Sequence, residues 1–396
     1  MVSSVREKYN SLFTNEKYVS FLKSLDERYN DKIEFRVSET PVFIDKTFKE
    51  EIIKAGEEII DVLVRKDYKE LSKNAIPDGL VVPNEDDHTS LLAIDFAICK
   101  DENGNLIPQL IELQGFASLY CYQEFLSEQY SKHFWIPENY DNKFNGYSHD
   151  RYIERLKKVV LGDHSPENVV LLEIEPWKQK TRIDFHVTQE YLGIKVICLS
   201  EVIKEGKQLF YLLNNVKTPI HRIYNRIIFD ELVQRDDLQR SFNLTDEVDV
   251  EWVAHPNWFF RISKYTMPFL KNKYVPETFF LSQLTSYPSD LENWVLKPLF
   301  SFSGQGVIFD VQLSDLENIK NKDQYILQKK VEYAPVIHSP TGPVKGEIRL
   351  LYLWDKNEDR PELALNLGRM SKGKMIGVRY NADLDWVGGT TYFLEK

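Results

Sequence analysis

Leu91-Leu92-Ala93-Ile94-Asp95-Phe96-Ala97-Ile98-Cys99, Asp101-Glu102-Asn103-Gly104-Asn105 and Leu110-Ile111-Glu112-Leu113-Gln114-Gly115 read in succession as strand, turn and strand. Asn-Gly between apolar runs signals a hairpin, because a type I′ turn needs positive φ at both central residues. A turn centred on Asn103-Gly104 places Asp95 directly opposite Glu112, and Ala93 opposite Gln114. Side chains alternate between the faces of a strand. Leu92, Ile94, Phe96 and Ile98 then form a core face, and Ala93, Asp95, Ala97 and Cys99 the other. Two carboxylates facing each other repel. A bound cation reverses that sign, and hard cations such as Mg²⁺ take oxygen ligands.

On the N-terminal side, residues 1 to about 75 read as helical and charged, with apolar residues at helical spacing over 50–64 (Ile52, Ile53, Ala55, Ile59, Ile60, Leu63). A turn at Pro77-Asp78-Gly79 leads into the hairpin, a helix over 120–130 is expected to cover it, and 139–148 reads as loop. Near residue 165 the pattern changes to a strand over 168–175, a helix over 179–192 and a strand over 193–199, which is a βαβ unit in a parallel sheet. A further strand and helix are expected within 223–232, completing a small doubly wound unit over about 165–250. Glu175-Pro176-Trp177 follows its first strand where a dinucleotide site would carry glycines, so a Rossmann site is excluded. Beyond 250 the chain returns to strands and turns: 294–298 ending at Lys297, a loop Ser301-Phe302-Ser303-Gly304-Gln305-Gly306, a return strand over 307–311, and strands over 324–331, 347–354 and 362–367.

With 396 residues, two or three packed units are expected. Lysine and arginine number 50 against 61 acids, a net charge of −11, which argues against nonspecific nucleic-acid binding. Cys99, Cys121 and Cys198 suggest neither a disulfide framework nor a zinc site, and the eight histidines show no metal-ligand spacing. The start MVSSVREKYNSLF lacks an apolar signal core, and no run approaches the ~18 apolar residues of a membrane span. A cytoplasmic protein without membrane partners is expected.

Chemistry is carried by the second half. Lys297 ends an apolar strand, and small residues soon after it let backbone N–H groups approach phosphate oxygens while the lysine supplies a point charge. A Walker A loop is absent. Lys264, in Arg261-Ile262-Ser263-Lys264-Tyr265, is a second phosphate candidate. Tyr325-Ile326-Leu327-Gln328-Lys329-Lys330-Val331-Glu332 turns from apolar to polar, a pattern shared by an amphipathic edge strand and by a strand that leaves the core to present its backbone to an adenine and Glu332 to a ribose. Gly346-Glu347-Ile348-Arg349 alternates, with Glu347 and Arg349 on one face; Arg369 and Arg379 follow. Arginines near a phosphoryl group stabilise charge on its oxygens. In the middle unit, Arg222 and Arg226 stand near a predicted strand end, where open α/β sheets bind ligands, and are candidates for a substrate carboxylate. No nucleophile elbow is present.

The succession Lys264, Val275-Pro276-Glu277-Thr278, Val295-Leu296-Lys297-Pro298 with its glycine loop, Tyr325-Ile326-Leu327-Gln328-Lys329 and Gly346-Glu347-Ile348-Arg349 resembles the ATP-grasp superfamily. There, two α+β subdomains clamp ATP. The element that usually closes that order, an Asp on a strand, a hairpin and Glu-x-Asn, is matched by Asp95 with Glu112-x-Gln114, placed N-terminal to the rest. Such an order is similar to the circularly permuted branch that includes eukaryotic glutathione synthetase and glutathionylspermidine synthetase. The fold implied is α+β with α/β character: a helical segment over 1–80, the hairpin-bearing part over 81–150, a small α/β unit over 151–250 and the remaining ATP-grasp subdomains over 251–396.

The resemblance implies ATP and Mg²⁺ as cofactors. Lys264 and Lys297 would contact the phosphates under a loop carrying Ser303, Gly304, Gln305 and Gly306; Gln328, Lys329, Lys330 and Val331 would border the adenine, and Glu332 the ribose. Asp95, Glu112 and Gln114 would hold the metal, with Gln114 standing where the family usually has Asn. Arg349, Arg369 and Lys297 would act on the transferring phosphoryl group, and Glu347 is open between a third metal ligand and a partner of Arg349. The expected activity is an ADP-releasing carboxylate–amine ligase that joins small amino-acid or peptide-like substrates through an acylphosphate. A small-molecule kinase on the same scaffold, told apart by a stable phosphorylated product, and a noncatalytic nucleotide-binding or scaffold protein are the alternatives.

Overall fold

The computed structural model describes residues 2–116, 118–300, 305–373, 376, 381 and 383–396. The chain is a mixed α/β protein with several sheets. The acidic hairpin forms from strands Leu91–Lys100 and Leu106–Gln114, but its turn differs from the expected one. Gly104 N–H donates to Asp101 O at 2.9 Å, and Asp101 N–H to Asn105 O at 2.9 Å. Gly104 has φ +82°, whereas Asn103 stays out of the left-handed region. The Asp101 carboxylate explains the choice: its Oδ1 accepts from Asn103 N–H at 2.9 Å and from Asn105 N–H at 2.8 Å, a local side-chain closure that competes with the two-residue turn. The longer loop moves the register by one residue, so Lys100 faces Leu106 and Phe96 faces Leu110. A bulge at Ile111 restores it, and Asp95 faces Glu112 after all.

The hairpin supplies two of the six strands of the main sheet. In order, Gly388–Thr390, Glu362–Ser371, Gly342–Leu353, Leu91–Lys100 and Leu106–Gln114 lie side by side and antiparallel, and Ile337–Ser339 pairs with Gly342–Leu353. This pairing puts Arg349 opposite Asp95, Glu347 opposite Ala97, and Arg369 opposite Glu347. Residues more than two hundred positions apart thus share one surface. Leu92, Ile94, Phe96 and Ile98 pack with Ile348, Leu350 and the helix Lys46–Leu63. The opposite face, with Leu91 and Ala93, is covered by Tyr120, Phe125 and Leu126 of the helix Tyr120–His133. Both faces are buried, which is why Leu91 to Cys99 is apolar apart from one acid.

The middle of the chain forms the expected parallel sheet, in the order Glu251–Val253, Arg222–Asn225, Val169–Glu173, Lys195–Cys198. The helix Arg182–Leu192 ends at Gly193, whose φ of +78° stops it. Antiparallel strands Ile203–Glu205, Gln208–Leu213 and Val216–Ile220 were not expected. Nor was Val42–Ile44, a strand in the predicted helical region, which pairs parallel with Tyr392–Glu395. Its three residues are too few for a periodic signal. A third sheet, Thr278–Phe280, Tyr325–Lys329 and Trp294–Pro298, carries Lys297 opposite Ile326. The return strand expected over 307–311 is a single bridge, Leu296 to Ile308. Among the described residues no helix is long and apolar enough to cross a membrane.

Candidate functional site

Four cationic side chains meet three carboxylates where the hairpin, the late strands and the third sheet converge. Asp95 is fully buried. Its Oδ1 accepts from Arg349 Nε at 2.6 Å, and its Oδ2 from Arg349 Nη2 at 2.7 Å and Arg369 Nη2 at 2.5 Å. Glu347 is paired through Oε1 with Arg369, and its Oε2 accepts the Tyr333 hydroxyl at 2.7 Å. The Glu112 carboxylate takes the Gln114 amide N–H at 2.7 Å and lies 3.9 Å from both Arg349 Nη2 and Lys264 Nζ. Burial raises the proton affinity of Glu112, but Lys264, Arg349 and Arg369 outweigh it and hold this acid well below the usual carboxylate range. Glu347 goes the other way: burial, aided by Asp95, outweighs Arg369 and raises it.

The expected metal ligands therefore meet guanidinium groups. Two facing acids need a cation between them, and Arg349, from the neighbouring strand, supplies it. Glu347 is the partner of Arg369, across one pair of strands, and not of Arg349. Among the described residues no group of three or more His, Cys, Asp or Glu is arranged to hold a metal ion. Asp95, Glu112 and Gln114 do not fit a magnesium site in this arrangement: both Asp95 oxygens are held by guanidinium groups, and Glu112 lies 3.9 Å from both Arg349 Nη2 and Lys264 Nζ, cations that oppose a further positive ion.

Lys297 reaches the hairpin from the third sheet. Its Nζ donates to Ile111 O at 3.2 Å and to Gln328 Oε1 at 2.6 Å. The bulge explains the first contact, since Ile111 is the residue left without a cross-strand partner. Desolvation, with repulsion from Lys264, pushes the Lys297 ammonium down to about 8 against the opposing pull of Glu112 and Glu347. Lys264 begins the 3₁₀ helix Lys264–Phe269 and is 8 % exposed, a buried group instead of a solvated one. The Gln328 amide donates to Thr278 Oγ1 at 3.1 Å, so this residue orients Lys297 and does not face a base. Lys329 N–H donates to Glu277 O at 2.8 Å and Lys330 N–H to Asn293 O at 2.7 Å. Neither N–H is open to an adenine. Glu332 is exposed and Val331 half-buried. Gln305 and Gly306 end the expected loop, with Gly306 at φ +70° against Pro298. Ser303, Gly304 and Arg379 lie outside the described residues.

The hairpin's end leads to a second group of polar residues. Gly115 N–H donates to Ile262 O at 2.8 Å, and Phe116 lies under the Arg226 guanidinium, 5.4 Å from ring centroid to carbon. Arg226 follows the strand Arg222–Asn225 on the carboxyl side of the parallel sheet, next to Glu173 at the end of its neighbour. The sheet's connectivity reverses between these two strands, the position where such sheets bind ligands. Arg226 Nε is buried without a hydrogen-bond partner. Asp184 accepts from Tyr122 N–H at 3.0 Å and Leu119 N–H at 3.2 Å, fixing the segment that leaves the hairpin. Arg222 sits at the other end of its strand, paired with Glu251 and donating to Val159 O at 3.0 Å. These contacts tie Arg222 into the structure, away from the carboxyl ends of the strands. A cavity of about 460 Å³ lies elsewhere, lined among others by Glu124, Lys143 and His149, and holds none of these groups.

Glu173 makes a measurable prediction. Burial raises it from 4.5 to about 8 against the pull of Arg226. The folded state then holds a proton that the unfolded chain releases above about pH 4.5, so stability from this group is full below that pH and is lost as pH rises through about 8. Glu173→Gln is expected to raise stability by about 1–3 kcal/mol at pH 8 and by little at pH 4, read by urea denaturation at both.

No family model and no curated protein matches this sequence. A solved structure does. A glutathione synthetase-like effector from Globodera pallida, in its apo form, superimposes with a TM-score of 0.59 at 10 % identity, covering 96 % of each chain. The fold is glutathione synthetase-like. At that identity the likeness concerns backbone architecture and carries no residue's role. Sequence reasoning named Asp95, Glu112, Lys264, Lys297, Arg349 and Arg369 from separate stretches, and the fold brings them together. It named Gln328 beside the adenine and not as a partner of Lys297, and it missed the Ile111 carbonyl and Tyr333, because a side-chain orientation, a bulge and a loop contact leave no periodic trace.

Proposed function

We propose that this protein is an ATP-dependent carboxylate–amine ligase of the permuted ATP-grasp type. The observation that carries the reading is the convergence of Lys264, Lys297, Arg349 and Arg369 on the hairpin, in a fold like that of a glutathione synthetase-like protein. The phosphates of ATP lie against the two lysines, under the segment bearing Gln305 and Gly306. The base borders residues 329–331, with Glu332 near the ribose and the amides of Lys329 and Lys330 taking no part. Arg226, with its unpartnered Nε, holds a substrate carboxylate of an amino acid or small peptide.

A second carboxylate oxygen of the substrate attacks the γ-phosphorus, the bond to the bridging oxygen breaks, and ADP leaves with that electron pair. Arg349 and Arg369 stabilise charge on the transferring group. An amine then attacks the acyl carbon, loses a proton and expels phosphate, leaving an amide. Magnesium is given no step, since Asp95 is held by two arginines and Glu112 faces Lys264 and Arg349.

The test is phosphate release from ATP with pools of amino acids and short peptides, with and without added magnesium. Release is expected only when a carboxylate and an amine are both present, and Lys297→Ala should reduce it at least ~100-fold. A stable phosphorylated product without an amine would make the protein a kinase. No release, and no thermal stabilisation by ATP analogues, would leave a noncatalytic scaffold.

A further inference from the structure

We infer that the site grips a nucleotide polyphosphate through protein cations alone, with Arg349 and Arg369 doing the electrostatic work of the divalent ion, so that nucleotide binding is independent of magnesium. The inference rests on the nucleotide reading above and departs from what the resemblance implies.

Charge and donor occupancy both support it. Asp95, Glu112 and Glu347 face Arg349, Arg369, Lys264 and Lys297, so the cluster holds one more cation than acid. A magnesium ion needs oxygen ligands at about 2.0–2.1 Å in octahedral array and dehydrates reluctantly. To reach Asp95 it would have to expel a bidentate guanidinium that is itself 8 % exposed and strand that charge without its partner. Glu347 is closed from both sides by Arg369 and Tyr333. A polyanion meets the opposite situation. Arg369 Nε is buried with no hydrogen-bond partner, a charged donor that a phosphate oxygen satisfies and a metal cannot. Buried donors of this kind are costly unless something accepts from them. Guanidinium groups also match phosphate in planar, two-point geometry.

The experiment is calorimetric titration of the full chain with ADP, once in excess EDTA and once in excess magnesium chloride. The dissociation constants are expected to agree within about threefold. Manganous ion alone should leave its paramagnetic resonance signal undiminished by the protein. Binding about tenfold or more tighter with magnesium, or stoichiometric loss of the manganese signal, overturns the inference while leaving the nucleotide reading intact. Binding in neither buffer removes the nucleotide reading and the inference with it.

Discussion

Asp95→Ala is expected to cost about 3–5 kcal/mol of folding stability and to leave ADP affinity unchanged or stronger. Asp95 is fully buried and accepts three charged N–H groups from two arginines. Alanine leaves Arg349, itself 8 % exposed, with only the more distant Glu112, and Arg369 with Glu347. Removing one partner of a buried ion pair strands the other charge, which is the expensive direction. The surplus positive charge then favours a polyphosphate. A metal-ligand role predicts both signs reversed. Two facing carboxylates would repel in the metal-free protein, so deleting one would stabilise it, and nucleotide binding would collapse with the lost metal. Urea denaturation in EDTA reads the first quantity and calorimetry the second. Asp95→Asn keeps one oxygen for the guanidinium groups, so its loss of stability should be smaller, and it serves the binding measurement if the alanine variant does not fold.

How far the sequence led here depended on the range of the physics involved. The alternation over Leu91–Lys100 and Gly342–Leu353 was legible because a strand's side chains report their face every second residue. The parallel unit was legible because strand, helix, Gly193 and strand succeed one another within thirty residues. The facing of Asp95 and Glu112 was predicted from the wrong turn, and the bulge at Ile111 restored it. That outcome shows how little the Asn-Gly dipeptide decides once Asp101 offers its own oxygen to Asn103 and Asn105. The identity of the cation between the acids was out of reach. It depends on Arg349 lying opposite Asp95 across strands separated by most of the chain, and no local pattern encodes that register. Arg222 and Arg226 are four residues apart and looked alike in sequence. Both have a buried Nε without a hydrogen-bond partner; being at opposite ends of one strand gave the first Glu251 and Val159 O as partners and put the second over Phe116 on the carboxyl side of the sheet.

Lys297→Met should separate function from stability most sharply: ADP affinity down by ~100-fold or more, an effect of at least about 2.7 kcal/mol, with folding stability at pH 7 changed by about 1 kcal/mol or less. The two opposing contributions explain the small second number. Methionine leaves Ile111 O and Gln328 Oε1 without their donor, which destabilises. It also removes a charge whose burial lowers the ammonium from 10.5 to about 8, which stabilises. The pH dependence identifies the group. Below about pH 8 the folded and unfolded chains both carry the proton and the burial cost is fully present. Between about 8 and 10.5 the unfolded chain binds more protons than the folded one, so wild-type stability gains from this group as pH rises, and the methionine variant loses that gain. Binding runs the other way. A polyphosphate needs the charged form, so wild-type ADP affinity should fall as pH rises through about 8, with proton uptake on binding near that pH. The variant should show neither the fall nor the uptake. An affinity that is flat across this range in the wild type would place the phosphates away from Lys297 and leave the ammonium a structural tie between the third sheet and the bulge.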